Sequence, residues 1–172
     1  DKTESSWLMA ATDLLNGRAA ATFVVLAGVG LSLMSRKGRQ TSDLDRLAQD
    51  RRTLHRRALF LLVLGLCYTP IWPPDILHFY GVYIAIAAWF LHASVRRLVA
   101  LAIGSMMGFV ALFFLLDYEQ GWNWVTLEYQ GFWTLEGMVR HLLFNGFHPV
   151  FPWIAFLFLG MILGRLNMEN PT

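Results

Sequence analysis

The sequence predicts an all-α protein, a polytopic transmembrane helix bundle, and two observations support this. Hydrophobic residues make up 56% of the 172 residues and charged residues only 15%, giving a mean hydropathy of +0.45, whereas soluble domains are roughly a quarter charged. The apolar residues are also gathered into long runs, and a bilayer crossing needs about 20 apolar residues per helix. Because lipid offers no partner to an unpaired backbone amide, these runs should be helical.

Five apolar runs define the predicted spans of a single transmembrane domain, residues 1–172. The first run can be extended outward by Leu14 and Leu15, and the second is interrupted by Pro70 and by the pair Pro73 and Pro74, which cannot continue a helix. The predicted spans cover about residues 19–34, 58–71, 76–91, 98–116 and 150–163. The chain opens on the polar stretch "DKTESSW", which lacks the character of a signal peptide, so we expect a fragment of a larger bundle.

The basic residues predict the orientation of the bundle. The segment 35–57 carries eight Lys and Arg, Arg96 and Arg97 follow the third span, and Arg165 closes the fifth. With five spans in register these basic segments fall on one side, which the positive-inside rule makes cytoplasmic. The predicted topology has loops 35–57 and 92–97 in the cytoplasm and the long loop 117–149 outside.

Two stretches beyond the spans show helical periodicity. "TSDLDRLAQDRRTLHRR" has leucines separated by charges and a cap at Ser42 or Asp43, which predicts an amphipathic helix running into the second span. "TLEGMVRHLLF", with Thr134 as its cap, predicts a short helix along the outer interface. We expect that helix to end at Asn145 and Gly146.

Asp75 and His78 are the first candidates for chemistry, because polar groups at membrane depth are costly and need a reason. Residues three apart share a helical face. A carboxylate bound to one imidazole nitrogen fixes the tautomer and raises basicity at the other, as in a general base. The alternative is an aspartate that caps a helix after two prolines, beside an interfacial histidine.

The stretch "NGFHPVFPW" supplies a second candidate pair at the outer end of the fifth span. His148 could exchange a proton, and the Asn145 amide could stabilise an oxyanion; alternatively, both belong to a tight turn. A third cluster, Asp13, Asn16 and Arg18, either contacts an acceptor or contains a helix cap.

The inner surface is basic, and its arginines either set the topology and attract anionic lipid or capture a phosphorylated cytoplasmic donor. The residues placed for such capture are Arg56, Arg57, Arg96 and Arg97. GxGxxG, Walker, zinc and GxSxG patterns are absent from the sequence, and we expect neither a metal ion nor a nucleic-acid partner. The residues alone are compatible with group transfer across the membrane and with anion transport.

Several stretches resemble a known family. "FNGFHPVFPWIAFLFLGMILGR", "PPDILHFYGVYIAIA" and "GRAAATFVVLAGVGLSLMSRKG" are similar to the bacterial YeiB-like (DUF418/DUF1624) membrane proteins. Those proteins are related to the catalytic domain of heparan-alpha-glucosaminide N-acetyltransferase, in the transmembrane acyltransferase superfamily. The family's opening "DxxRGxA" span has no counterpart here, and the region of the family's active-site histidine, "DKTESSWLMAATDLLNGR", contains no histidine. By the resemblance, Asp75, His78 and His148 stand where the family motif has its outer polar positions.

The resemblance implies an integral membrane acyltransferase of the bacterial inner (plasma) membrane. An acetyl or other acyl group would pass from cytoplasmic acyl-CoA to an outer sugar, or to another amine or hydroxyl acceptor. Of these positions, His148 or His78 would act as base and Asp75 would orient it. The Asn145 amide, which the resemblance does not assign, would then be the oxyanion donor. Membrane lipid is the expected surrounding, and a homodimer is left open. The alternatives are a transporter or flippase for an anionic or glycosylated metabolite, and a structural membrane partner without a small-molecule site.

Overall fold

A computed structural model of the protein describes residues 2–166, and the side chains of residues 18–166. Helices dominate it, so the predicted all-α class is confirmed. The α-helices are α1 (Lys2–Met34), α2 (Arg36–Thr41), α3 (Leu44–Tyr68), α4 (Leu77–Ala87), α5 (Val95–Leu115), α6 (Leu135–Arg140) and α7 (Val150–Leu163). A 3-10 turn, Ala88–Phe90, continues α4, and a π-helical turn, His141–Asn145, continues α6. Between α5 and α6 the chain forms a small antiparallel hairpin of β1 (Trp122–Asn123) and β2 (Glu128–Tyr129).

Helix α3 joins the predicted amphipathic helix and the second apolar run without a break. Asp43 caps it, since its carboxylate accepts from the backbone N–H of Arg46 at 2.9 Å, and the first turns bury Leu47 and Leu54 on one face. The helix ends at Tyr68, just before Thr69 and the prolines. Both predictions, the cap and the continuous helix, are confirmed.

The bundle is held by close contacts between backbones. Helix α7 packs against α1 and α5, and α3 packs against α4. A Cβ atom on Gly28 would lie 2.1 Å from the carbonyl oxygen of Leu157, and one on Gly160 would lie 2.0 Å from that of Val25. Small residues that bring two helix backbones together in this way are typical of helix pairs in membranes.

Among the described residues, α5 is the one helix that is long and apolar enough to cross a membrane by itself. The helices Leu135–Asn145 and Val150–Leu163 meet at a bend of 50° and make one further crossing if they are counted together. The apolar stretches Arg18–Met34 and Leu77–Phe90 are shorter, and the second rises only about 21 Å against a hydrocarbon core of about 30 Å. The count of five spans therefore stays a prediction.

The outer surface of α5 favours a lipid environment. Phe114 and Leu115 are 82% and 78% exposed, and Phe113 is 52% exposed. In water a continuous apolar surface of this kind would promote association, whereas acyl chains solvate it. Helix α5 packs against α7 with one face and leaves its other, apolar face exposed.

The basic segments come together at one end of the bundle. The Arg165 guanidinium, after α7, donates to the carbonyl oxygens of Leu91, at 3.2 Å, and of Ala93, in the α4–α5 connection. The Arg51 guanidinium of α3 lies 4.8 Å from the centre of the Trp89 ring, in the 3-10 turn of the same connection. The side of the membrane on which this basic end lies remains a prediction.

The segment before α7 forms the opposite end. Thr134 caps α6, because its hydroxyl accepts from the backbone N–H of Gly137 at 3.1 Å, and the π-helical turn ends at Asn145. The predicted cap and end of this helix are therefore confirmed. The preceding hairpin was not predicted; it pairs Trp122 with Tyr129 and has Gly121 at φ +91°, a conformation suited to glycine.

Candidate active site

Asp75 and His78 form a buried pair at the start of α4. The Asp75 carboxylate oxygen Oδ2 accepts from the His78 ring nitrogen Nδ1 at 2.9 Å, and from the backbone N–H groups of Leu77 and His78 at 3.0 and 3.3 Å. Both side chains are at most 5% exposed. The same oxygen therefore both accepts from backbone N–H groups at the start of α4, as a helix cap does, and holds the His78 ring.

This arrangement prepares one imidazole nitrogen for proton transfer. Because Nδ1 of His78 donates to Asp75, the ring's lone pair is on Nε2. Nε2 is buried and has no hydrogen-bond partner in the described part of the chain. A buried polar atom without a partner is costly, and sites of chemistry are one place where such atoms persist.

Helix α3 forms the wall behind the pair, at Gly65. A Cβ atom there would lie 2.3 Å from the backbone nitrogen of His78 and 2.7 Å from Oδ2 of Asp75. Only glycine allows the α3 backbone to approach the pair so closely. Gly65 therefore fixes where the carboxylate and the imidazole stand.

His141 belongs to the same site, although the sequence analysis did not select it. Its ring stacks on that of His78, with centroids 5.9 Å apart and planes 22° apart. It is 2% exposed, and its Nδ1 is buried without a partner among the described residues. The sequence does contain an indication that His141 belongs to the site, because His141 precedes Asn145 by four residues and the two therefore share a helical face.

His148 lies in the connection before α7, beside the other two histidines. The centroid of the Phe79 ring is 4.0 Å from that of His78, 5.4 Å from that of His141 and 6.1 Å from that of His148, so the three imidazoles surround one phenyl ring. Nδ1 of His148 is also buried without a described partner. Burial, and secondly the neighbouring His78, lower the pKa of His148 to about 4, against a smaller opposing effect of Asp75, so the ring is neutral at pH 7.

Asn145 is occupied by the protein itself. Its amide nitrogen donates to the carbonyl oxygens of Tyr118 and Gln120, both at 2.9 Å, and its amide oxygen accepts from the Tyr129 hydroxyl at 2.8 Å. The backbone carbonyl of Asn145 accepts from the Trp122 indole. Asn145 thus ties the hairpin to the π-helical turn, and an oxyanion role would require one of these bonds to break.

A cavity of about 570 Å³ opens beside the histidines. Its walls are mostly aromatic, from Trp122, Tyr129, Phe132 and Phe147, and His141 lies in the same lining. The polar lining groups are Thr69, Glu128, Gln130 and Thr134. Since His141 also stacks on His78, it stands between the Asp75–His78 pair and this cavity.

The structure does not bring the four basic candidates to this pair. Arg56, Arg57, Arg96 and Arg97 are exposed, and Arg57 lies about 12 Å along α3 from Gly65. In the third cluster, the side chains of Asp13 and Asn16 lie outside the described residues, and Arg18 is exposed. The candidate site therefore consists of Asp75, His78, His141 and His148, with Asn145 hydrogen-bonded to Trp122 and Tyr129 of the cavity wall.

Compared with known protein families, residues 2–172 match the family described as heparan-alpha-glucosaminide N-acetyltransferase, catalytic. The match includes every residue of the candidate site. No curated protein and no solved structure matches the chain.

Proposed function

The chain belongs to the heparan-alpha-glucosaminide N-acetyltransferase catalytic family, and on that premise we propose that it moves an acyl group, acetyl in the first instance, from acyl-CoA to a sugar or other amine or hydroxyl acceptor. Membership itself indicates an acetyltransferase-type domain of a membrane protein, as the resemblance predicted. The observation that carries the proposal is the buried Asp75–His78 pair, whose Nε2 has no described partner.

The chemistry requires a base and a path for one proton. The acceptor's amine or hydroxyl attacks the thioester carbonyl, the new C–N or C–O bond forms, and the C–S bond breaks. His78 takes the acceptor's proton on Nε2, and the departing thiolate recovers a proton, so charge balances. Asp75 holds His78 in the basic tautomer; general-base assistance of this kind contributes roughly 10²–10⁴-fold to the rate.

The aromatic cavity is the proposed acceptor site. Rings such as Trp122 and Tyr129 pack against the C–H faces of a sugar, while Glu128 and Gln130 offer hydrogen bonds to its hydroxyls. A pocket of this size suits a small ligand. His141 lies beside the cavity and stacks on His78, and His148, which is neutral at pH 7, is the alternative base.

The basic end of the bundle is the proposed donor side. Arg56, Arg57, Arg96 and Arg97 steer the phosphates of acyl-CoA, since arginine binds phosphate through paired hydrogen bonds. With that end in the cytoplasm of a bacterial inner membrane, the cavity faces outward. Arg51, at the basic end, lies about 21 Å along α3 from Gly65 at the histidine site, so the acyl group crosses most of the bilayer.

The test is acyl transfer by purified protein in lipid nanodiscs. Isotope-labelled acetyl-CoA is supplied with amino sugars, hexoses and simple amines, and products are identified by mass spectrometry. We expect His78→Asn to lower transfer by about 10²-fold or more. His92→Asn, at an exposed histidine in the α4–α5 connection, is the matched control and should be unchanged. Absence of transfer by the wild-type protein would overturn the proposal, and undiminished transfer by His78→Asn would overturn the role of His78. Metabolite uptake into vesicles without acyl donor would favour a transporter instead.

A further inference from the structure

We propose that a basic cavity at the end of the bundle remote from the histidines binds a phosphate group, held by Arg36, Arg39 and Arg165. The cavity has a volume of about 410 Å³ and lies where α1 and α2 meet the end of α7. Arg165 lies two residues after α7 and His148 two residues before it, so the two ends are separated by about 21 Å of helix. This inference does not depend on the proposed acyl transfer.

Two of the three guanidinium groups are fixed in place. Arg39 donates to the Ser32 carbonyl oxygen at 2.8 Å, to the Ser32 hydroxyl at 3.1 Å and to the Ser35 hydroxyl, and both serines are fully buried. Arg165 donates to carbonyl oxygens of the α4–α5 connection. Guanidinium groups held by backbone and hydroxyl oxygens keep further N–H donors at defined positions for a ligand.

The helix ends that carry these arginines are themselves in close contact. A Cβ atom on Gly164, which lines the cavity, would lie 2.8 Å from the Cβ atom of Ser32 and 3.0 Å from the Val29 carbonyl oxygen. Arg39 and Arg165 are thus brought together by backbone packing rather than by flexible side chains. The cavity is a preformed site, which lowers the entropy lost on binding.

The electrostatics of the cavity favour an anion. Among the described residues its lining contains three arginines and no carboxylate. Nε of Arg165 is buried without a described partner. Burial, and then Arg36, lower the pKa of Arg39, while burial, and then Arg39, lower that of Arg165 to about 10. A bound anion reduces the repulsion between these neighbouring positive charges. The planar guanidinium group of arginine also matches the geometry of phosphate.

Two kinds of ligand carry a phosphate group that would fit this cavity. Leu33 and Leu166 flank the cavity and are 52% and 59% exposed, so a phospholipid could place its headgroup among the arginines and its chains against the leucines. A soluble phosphate ester could occupy the same arginines from the aqueous side. The two sources are separated by experiment.

The experiment measures ligand binding to the full chain in nanodiscs at physiological salt. One arm titrates radiolabelled pyrophosphate into phosphatidylcholine nanodiscs, and the other counts retained phosphatidylglycerol by native mass spectrometry. Arg36→Gln removes an exposed arginine that lines the cavity, and Arg46→Gln removes an exposed arginine of α3 outside it. We expect Arg36→Gln to weaken binding about tenfold, the loss of one charge-assisted contact, and Arg46→Gln to leave it unchanged.

Each outcome of this experiment either supports the phosphate site or overturns it. Selective loss of pyrophosphate binding in Arg36→Gln supports the site with a soluble ligand, and selective loss of phosphatidylglycerol supports it with a lipid. Conversely, equal effects of the two variants would show diffuse attraction to a basic surface and overturn the proposal. Failure of either ligand to bind the wild-type protein would overturn it as well.

Discussion

Substitution of Gly65 by alanine tests whether the α3 backbone positions the Asp75–His78 pair. Gly65 lies on α3 and carries no side-chain functional group, so any effect of the substitution on catalysis must pass through geometry. The added Cβ atom would stand 2.3 Å from the backbone nitrogen of His78, 2.7 Å from Oδ2 of Asp75 and 2.9 Å from Cα of His78. Two of these atoms belong to the main chain and cannot rotate away.

The size of the effect follows from these distances. Ordinary van der Waals contact begins at 3.4 Å, so the first turn of α4 must retreat by the difference from 2.3 Å, about 1 Å. A misplacement of about 1 Å can cost about 10²-fold in rate, which corresponds to roughly 2.7 kcal/mol of activation free energy. Overpacking of this kind also costs about 1–3 kcal/mol of stability.

The assay compares initial rates of acetyl transfer, normalised to the folded fraction from thermal unfolding in the same nanodiscs. Gly104→Ala is the matched control, because α5 leaves open space within 4 Å of the Cβ position there. We expect Gly104→Ala to transfer at the wild-type rate and Gly65→Ala to transfer about 10²-fold more slowly. A folded Gly65→Ala protein with the wild-type rate would refute the positioning argument.

Three further predictions concern the pair, the helix packing and the titration of the site. Asp75→Asn should lower kcat by roughly 10²-fold or more, because His78 loses the charged carboxylate that fixes its tautomer. Gly28→Leu should lower the free energy of unfolding by about 1–3 kcal/mol, measured by denaturant titration, whereas Gly30→Leu meets open space and should not. His148, with its pKa lowered to about 4 by burial, should stay neutral in histidine NMR spectra at pH 6. Since the unfolded chain takes up this proton near pH 6.5, the free energy of unfolding should fall as pH drops from about 6.5 to 4.

Each of these predictions has a contrary result. Full activity in Asp75→Asn would remove the carboxylate from the mechanism. Equal destabilisation by Gly28→Leu and Gly30→Leu would show that the α1–α7 contact is no tighter than the rest of α1. A His148 resonance that titrates at pH 6.5 would show that the ring is solvated rather than buried.

Local features of the fold could be predicted because they depend on residues close in sequence. The Asp43 and Thr134 caps each act on an N–H three residues later, and the Asp75–His78 bond spans three residues. Each follows from the rise and turn of one helix. The all-α class could likewise be predicted from the apolar composition. The number of membrane crossings could not, because it depends on helix lengths and bends that composition does not specify.

Contacts between distant residues could not be predicted in this way. His141 joins His78 across the fold, and Asn145 binds carbonyl oxygens of residues 118 and 120, in the segment leading to the hairpin. Asn145 looked available for catalysis because its three hydrogen-bond partners are far away in sequence. The close approach of α3 to the Asp75–His78 pair at Gly65 could not be predicted for the same reason. A glycine indicates a close backbone contact only when the opposing backbone is known.

The central claim is that Asp75 and His78 act as one unit in acyl transfer, and a double-mutant cycle tests it most directly. Single-turnover transfer of labelled acetyl from acetyl-CoA to an amino sugar is measured for the wild type, Asp75→Asn, His78→Asn and the double variant. Groups that act as a unit are strongly non-additive, so the double variant should be no slower than His78→Asn alone. Losses that multiply, or a His78→Asn protein that transfers at the wild-type rate, would contradict the account.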